Sequence, residues 1–171
     1  MLVKYFVMNE FIDLAPFDLK SCLVAVLCGF LIGLEREWYK KPAGIRTSIL
    51  VCIGAYTFIT IAKFLQPDDS AARVLGQIVT GVGFLGAGLI ISEQGSIKGI
   101  TSAATIWILA AIGSLAGFGY LGGAILITLL TLFVLQIMTI VEIRLTKIRD
   151  EVDIKKNNRK RKKAVNKEKI E

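Results

Sequence analysis

A chain of 171 residues that is 54% hydrophobic, with a mean hydropathy of +0.62, is more apolar than a soluble domain of this size. It contains no histidine, which excludes Ser-His-Asp triads, HExxH sites and imidazole metal ligation; Cys22, Cys28 and Cys52 lie in apolar stretches without a CxxC pair, which argues against disulfides and zinc. The net charge of +7 belongs to residues 144–171, with twelve Lys/Arg against five Asp/Glu, while residues 1–143 balance nine against nine, so the basic pI does not point to nucleic acid.

Residues 1–18 hold Lys4 ahead of a short apolar run that Asn9-Glu10 interrupts too early for a signal peptide. This segment is read as extracytoplasmic or lying in the membrane interface. Five apolar runs follow, at about residues 19–36, 45–65, 74–91, 99–118 and 121–143. The last three carry no charge until Glu142, and runs of this size fit membrane helices of roughly 17–25 residues. Pro16-Phe17-Asp18 suits the start of the first helix, and the fourth and fifth runs meet at a glycine-rich turn whose Phe118 and Tyr120 suit an interface. Residues 19–143 thus read as one all-α bundle of about five transmembrane helices. Residues 144–171 form a basic tail too apolar-poor to bury a core, which serves as a topology signal or is drawn to anionic lipid headgroups.

With five spans the termini lie on opposite sides. A cytosolic tail puts seventeen Lys/Arg inside and four outside, so the positive-inside rule places the N-terminus outside and the C-terminus in the cytosol.

Three constellations carry the candidate residues. Gly29-x-x-x-Gly33 presents two glycines on one helix face for close approach of a neighbour, and Glu35-Arg36-Glu37 follows, with Arg46 and Thr47 after the loop. The four charges are expected at the cytosolic membrane edge, partly reaching water. They read either as an ion-paired helix–loop–helix corner or as part of a cation or partner site. Next, Gly76, Gln77, Thr80, Gly81, Gly83, Gly86 and Gly88 fall in the third run. Close helix packing is one reading, and local unwinding with carbonyls facing a cavity is the other. The GxGxxG spacing at Gly81, Gly83 and Gly86 has no strand before it and no acidic residue about twenty positions on, so no dinucleotide is expected. Finally, Thr101 and Thr105 share a helix face with Ser102 beside them. Their hydroxyls either bond their own helix's carbonyls or form a polar seam with Gln77 and Thr80, while Trp107 is expected to pack.

The blocks GFLIGLEREWYKKPAGIRTSILVCIGA, GQIVTGVGFLGAGLI and SIKGITSAATIWILAAIG, in that order, resemble the MgtC/SapB family of bacterial inner-membrane proteins over roughly residues 19–140. The resemblance maps the family's signature onto Glu35, Arg36, Glu37, Gly44, Arg46, Thr47, Gly81, Gly83, Phe84, Gly86, Ala87, Gly88, Gly99, Thr101, Ala103, Ala104, Trp107 and Gly113. It implies a multi-pass inner-membrane protein linked to magnesium limitation, acid stress or survival inside host cells. In well-known members it also implies binding and restraint of the membrane ATP synthase. Many longer members carry a cytosolic ACT-like domain where this chain has the basic tail.

No enzyme and no cofactor are expected. The favoured reading is a non-enzymatic modulator of membrane ion and energy homeostasis that binds other membrane proteins, with ATP synthase and further copies of the chain as partners. The alternative is a transporter or channel for Mg²⁺ or another small ion. No carboxylate lies between Asp69 and Glu93, or between Glu93 and Glu142, so such a path would rest on Gln77, Thr80, Thr101, Thr105 and unwound carbonyls.

Overall fold

The computed structural model describes residues 15–65, 70–93, 96–139, 141 and 144. The expectations for residues 1–14 and for the tail beyond 144 lie outside the described residues. The described residues form five helices and one small hairpin: α1 (Leu19–Trp38), α2 (Ile45–Leu65), α3 (Ser70–Ala87), β1 (Ile91–Glu93), β2 (Ser96–Lys98), α4 (Ile100–Phe118) and α5 (Leu121–Thr139). Helices α2 to α5 are each long and apolar enough to cross a membrane. Helix α1 has the length, but Lys20 at one end and Glu35-Arg36-Glu37 at the other give it four charges. The chain is an all-α membrane protein.

The helix ends follow from the local sequence. Asp18 caps α1, its Oδ2 accepting from the Ser21 N–H at 2.9 Å and the Ser21 hydroxyl at 2.7 Å. Residues 39–44 then reverse the chain, with Lys40 and Ala43 at φ +51° and +62°. At the end of α4, Gly119 takes φ +88°, donating to the Ala116 carbonyl while Tyr120 donates to that of Leu115. This pair of bonds satisfies the orphan carbonyls of the last turn, and glycine adopts the conformation without steric cost.

Packing brings α1, α2 and α4 together, with α3 laid against α4 and α2. The close approaches run through glycine. A Cβ at Gly33 would sit 2.6 Å from the Ile45 Cα, and one at Gly29 would sit 2.9 Å from the Ile49 Cα, so α1 meets α2 backbone to backbone as the GxxxG spacing suggests. Gly113 and Gly117 of α4 do the same against Cys52, Tyr56 and Ile59 of α2, and the Cys52 thiol donates to the Leu109 carbonyl at 3.2 Å. Ala25, Ile32, Cys52, Ile59, Leu109 and Ile112 form the buried centre.

The third span differs from its sequence reading. It starts four residues earlier, at Ser70, whose hydroxyl donates to the Ala62 carbonyl of α2 at 2.6 Å, and it ends at Ala87. The apolar residues after it turn instead into the antiparallel hairpin, in the register Ile91↔Lys98, Ser92↔Ile97 and Glu93↔Ser96. The helix is continuous, so the unwinding reading does not hold. By internal packing the chain divides into Met1–Leu132 and Phe133–Glu171, with α5 beginning in the first unit and ending in the second; the sites below lie in the first.

Candidate functional site

The end of α1, the start of α2 and the start of α4 enclose a charged centre. Arg36 is 3% exposed and Glu35 7%. The Arg36 Nη1 donates to Glu35 Oε2 at 3.5 Å and Nη2 donates to the Ser102 hydroxyl at 3.2 Å. Arg36 Nε and Glu35 Oε1 are buried without a hydrogen-bond partner. The expectation that these charges reach water is therefore corrected for Glu35 and Arg36. Adjacent positions point about 100° apart on a helix, and here both directions lead inward because α2 and α4 pack on α1 from two sides. A buried ion pair with one long bond and two orphan atoms is costly to desolvate and weakly repaid.

Glu37 has a different task. It is exposed, and its Oε2 accepts from the Ile45 N–H at 3.1 Å, capping α2 from another helix. Gly44 permits this, since a Cβ there would lie 2.9 Å from Glu37 Oε2. Arg46 is exposed in the first turn of α2 and takes no part in the Arg36–Glu35 ion pair, so the expected four-charge corner contracts to Glu35, Arg36 and Ser102. The serine is 66 residues away in sequence.

The hydroxyls expected to line an ion path are spent locally. Thr80 donates to the Gly76 carbonyl at 3.0 Å and Thr105 to that of Thr101 at 2.8 Å. Thr101 is exposed, and Ser102 serves Arg36. Among the described residues no hydrogen bond joins these hydroxyls to Gln77. Trp107 is 50% exposed and faces out of the bundle instead of packing within it.

Gln77 lines an apolar groove of about 580 Å³ between α2 and α3, together with Thr47, Leu50, Gly54, Phe58, Gly81 and Leu85. The close-packing reading of the third-span glycines fails within the chain. A Cβ at Gly76, Gly81 or Gly83 would meet nothing within 4 Å, while one at Gly86 would meet the Ala103 carbonyl of α4 at 3.5 Å. Gly88 donates to the Phe84 carbonyl in the turn that closes α3. Of all α3 residues only Ala71, Val82 and Gly86 are buried.

Sequence reasoning missed a second polar region at the opposite end of the bundle. Tyr56 donates to the Asp18 carbonyl at 3.0 Å, and Lys63 donates to the Gly117 and Phe118 carbonyls at 3.4 and 3.1 Å. The Ser21 hydroxyl, then its N–H, hold the Asp18 carboxyl below the ordinary value of 3.8. The sequence signal was Lys63, a cation ending an apolar run.

This arrangement defines a multi-span helical membrane protein with a buried ion pair at one end and an uncovered glycine-rich helix along its side. The chain belongs to the MgtC family, which matches residues 22–144. It is 45% identical over 109 residues to Protein MgtC of Brucella abortus, covering 63% of this chain and 46% of the relative. It is 43% identical over 125 residues to Protein MgtC of Salmonella typhimurium, covering 73% of this chain and 53% of the relative. The chain thus spans about half the length of these curated relatives. No solved structure matches it.

Proposed function

We propose that the chain is a non-enzymatic regulator of the bacterial inner membrane, adjusting ion and energy homeostasis under magnesium limitation or stress by binding other membrane proteins. The observation that carries this reading is the uncovered α3, whose glycines 76, 81 and 83 leave its backbone open to a neighbour. In a bilayer, lipid tails are as apolar as leucine, so helices associate through close packing and interhelical hydrogen bonds. Glycine serves the first, and the Gln77 amide, with two donors and two acceptor lone pairs, serves the second. The positive-inside rule favours an orientation with the tail in the cytosol.

The ion-path alternative draws less support, because its hydroxyls are bonded along their own helices and Gln77 faces the groove between α2 and α3. Two measurements decide between them. Affinity-tagged chain recovered from native membranes is expected to bring a defined membrane protein with it, an ATP synthase subunit being the partner that the family resemblance suggests. Proteoliposomes holding the chain alone are expected to pass Mg²⁺ no faster than empty ones. Flux that depends on protein, with nothing co-purifying, would contradict the reading.

A further inference from the structure

The polar region at the far end of the bundle has the makings of a binding site. It surrounds a cavity of about 330 Å³, at the small end of the range for ligand pockets, formed where the start of α1, the second half of α2 and the end of α4 converge. Ser102 and Gly117 stand fifteen residues apart on α4, which puts this cavity about 22 Å along the helix from the buried Arg36.

Asp18 and Lys63 both line it, yet they are not an ion pair within 4.0 Å. An ammonium carries three donors. Lys63 directs two bonds at the last carbonyls of α4, which fixes the side chain at the cavity and leaves it a third. Asp18 is fixed by Ser21. Thr60 also lines the cavity, only 8% exposed, and its hydroxyl is buried without a hydrogen-bond partner. A buried, unbonded hydroxyl is costly, and a partner arriving in the cavity would remove that cost.

We infer that this cavity binds a small zwitterion, its phosphate or carboxylate taken by Lys63 and the Thr60 hydroxyl and its ammonium by Asp18. Phe64, Pro16 and Ala116 supply apolar walls for the carbons between the charges. At the end of a membrane bundle such a group arrives either as a phospholipid headgroup or as a free solute. This site is separate from the α3 face and does not depend on the regulatory reading.

The test uses the full chain in mild detergent. Phosphatidylethanolamine and phosphatidylglycerol, which has the phosphate without the ammonium, are offered in turn and bound lipid is read by native mass spectrometry. Free phosphoethanolamine is titrated in parallel. One phosphatidylethanolamine per chain is expected, held about tenfold more tightly than phosphatidylglycerol. Lys63→Met and Asp18→Asn should each weaken binding by about tenfold, Thr60→Val less, and Lys41→Gln at the other end of the bundle should have no effect. Because Lys63 also ties down α4, circular dichroism and gel filtration accompany each variant, and Asp18→Asn carries the test if Lys63→Met misfolds. Binding of the lipid alone assigns the headgroup as ligand, and binding of phosphoethanolamine alone assigns a solute. Equal retention of the two lipids with no phosphoethanolamine bound would overturn the inference, as would unchanged binding by a folded Asp18→Asn chain.

Discussion

Two glycines in this chain look alike in sequence and differ in what a methyl group would meet. At Gly33 a Cβ would fall 2.6 Å from the Ile45 Cα, a backbone atom that cannot turn aside, whereas at Gly81 it would meet nothing within 4 Å. Gly33→Ala should therefore destabilise by about 1–3 kcal/mol through overpacking. Gly81→Ala should be neutral or stabilising by up to about 1 kcal/mol, since alanine is the better helix former. Unfolding in detergent, followed by circular dichroism, checks both. The charged centre is judged the same way. Arg36→Met leaves Glu35 buried and alone and should cost about 3–5 kcal/mol, while Arg36→Met with Glu35→Leu should recover much of that loss. If the double variant is as unstable as the single one, the pair is not the source of the cost. Asp18 gives a pH prediction. Its carboxyl is held below 3.8 in the fold, so its contribution is complete above that value and fades as pH falls through the lower folded value. The Asp18→Asn chain should lack that step in an acid unfolding series.

At the scale of elements, apolar runs marked α2, α4 and α5 closely, because a membrane-crossing helix tolerates charge only near its ends, where Arg46 and Lys63 stand in α2. Gly29 and Gly33 were legible for a similar reason, their four-residue spacing fixing them on one face. The third span was less so. Ile91 continues an apolar run, but Ser92 and Glu93 alternate with it towards Gly95, and that pattern belongs to the hairpin. The burial of Arg36 was not legible at all. It lies two residues from the end of α1, where sequence suggests water, and its partner Ser102 comes from a helix 66 positions on. Trp107 gave no sign of facing outward, since a tryptophan suits core and lipid surface equally. The glycines of α3 pointed to a helix contact, but among the described residues none of Gly76, Gly81 and Gly83 makes one. Gly83→Leu should accordingly leave the unfolding midpoint of the isolated protein within about 0.5 kcal/mol of the parent, as for surface changes away from packing, while abolishing co-purification of a membrane partner. Loss of fold in that variant would mean α3 is covered in a way its open glycines do not suggest.

At the largest scale, the unit Met1–Leu132 has a core that is closed on three helices and open along a fourth. Helices α1, α2 and α4 hold one another through Gly29, Gly33, Gly113 and Gly117, and the Thr105 and Ser114 hydroxyls of α4 bond along their own helix's carbonyls. Such a core is suited to holding a shape against which something else packs. Membership of the MgtC family agrees with a membrane protein of this design. The chain covers about half of its curated relatives, so the remainder of their length has no counterpart in the matched region. The most direct measurement is photo-crosslinking in native membranes from a probe placed at Gly83, with a second probe at the lipid-facing Leu23 of α1 as comparison. A discrete protein adduct from Gly83 and only lipid adducts from Leu23 are the predicted result. Lipid adducts alone from both positions would contradict the view that α3 is where this protein meets its partner.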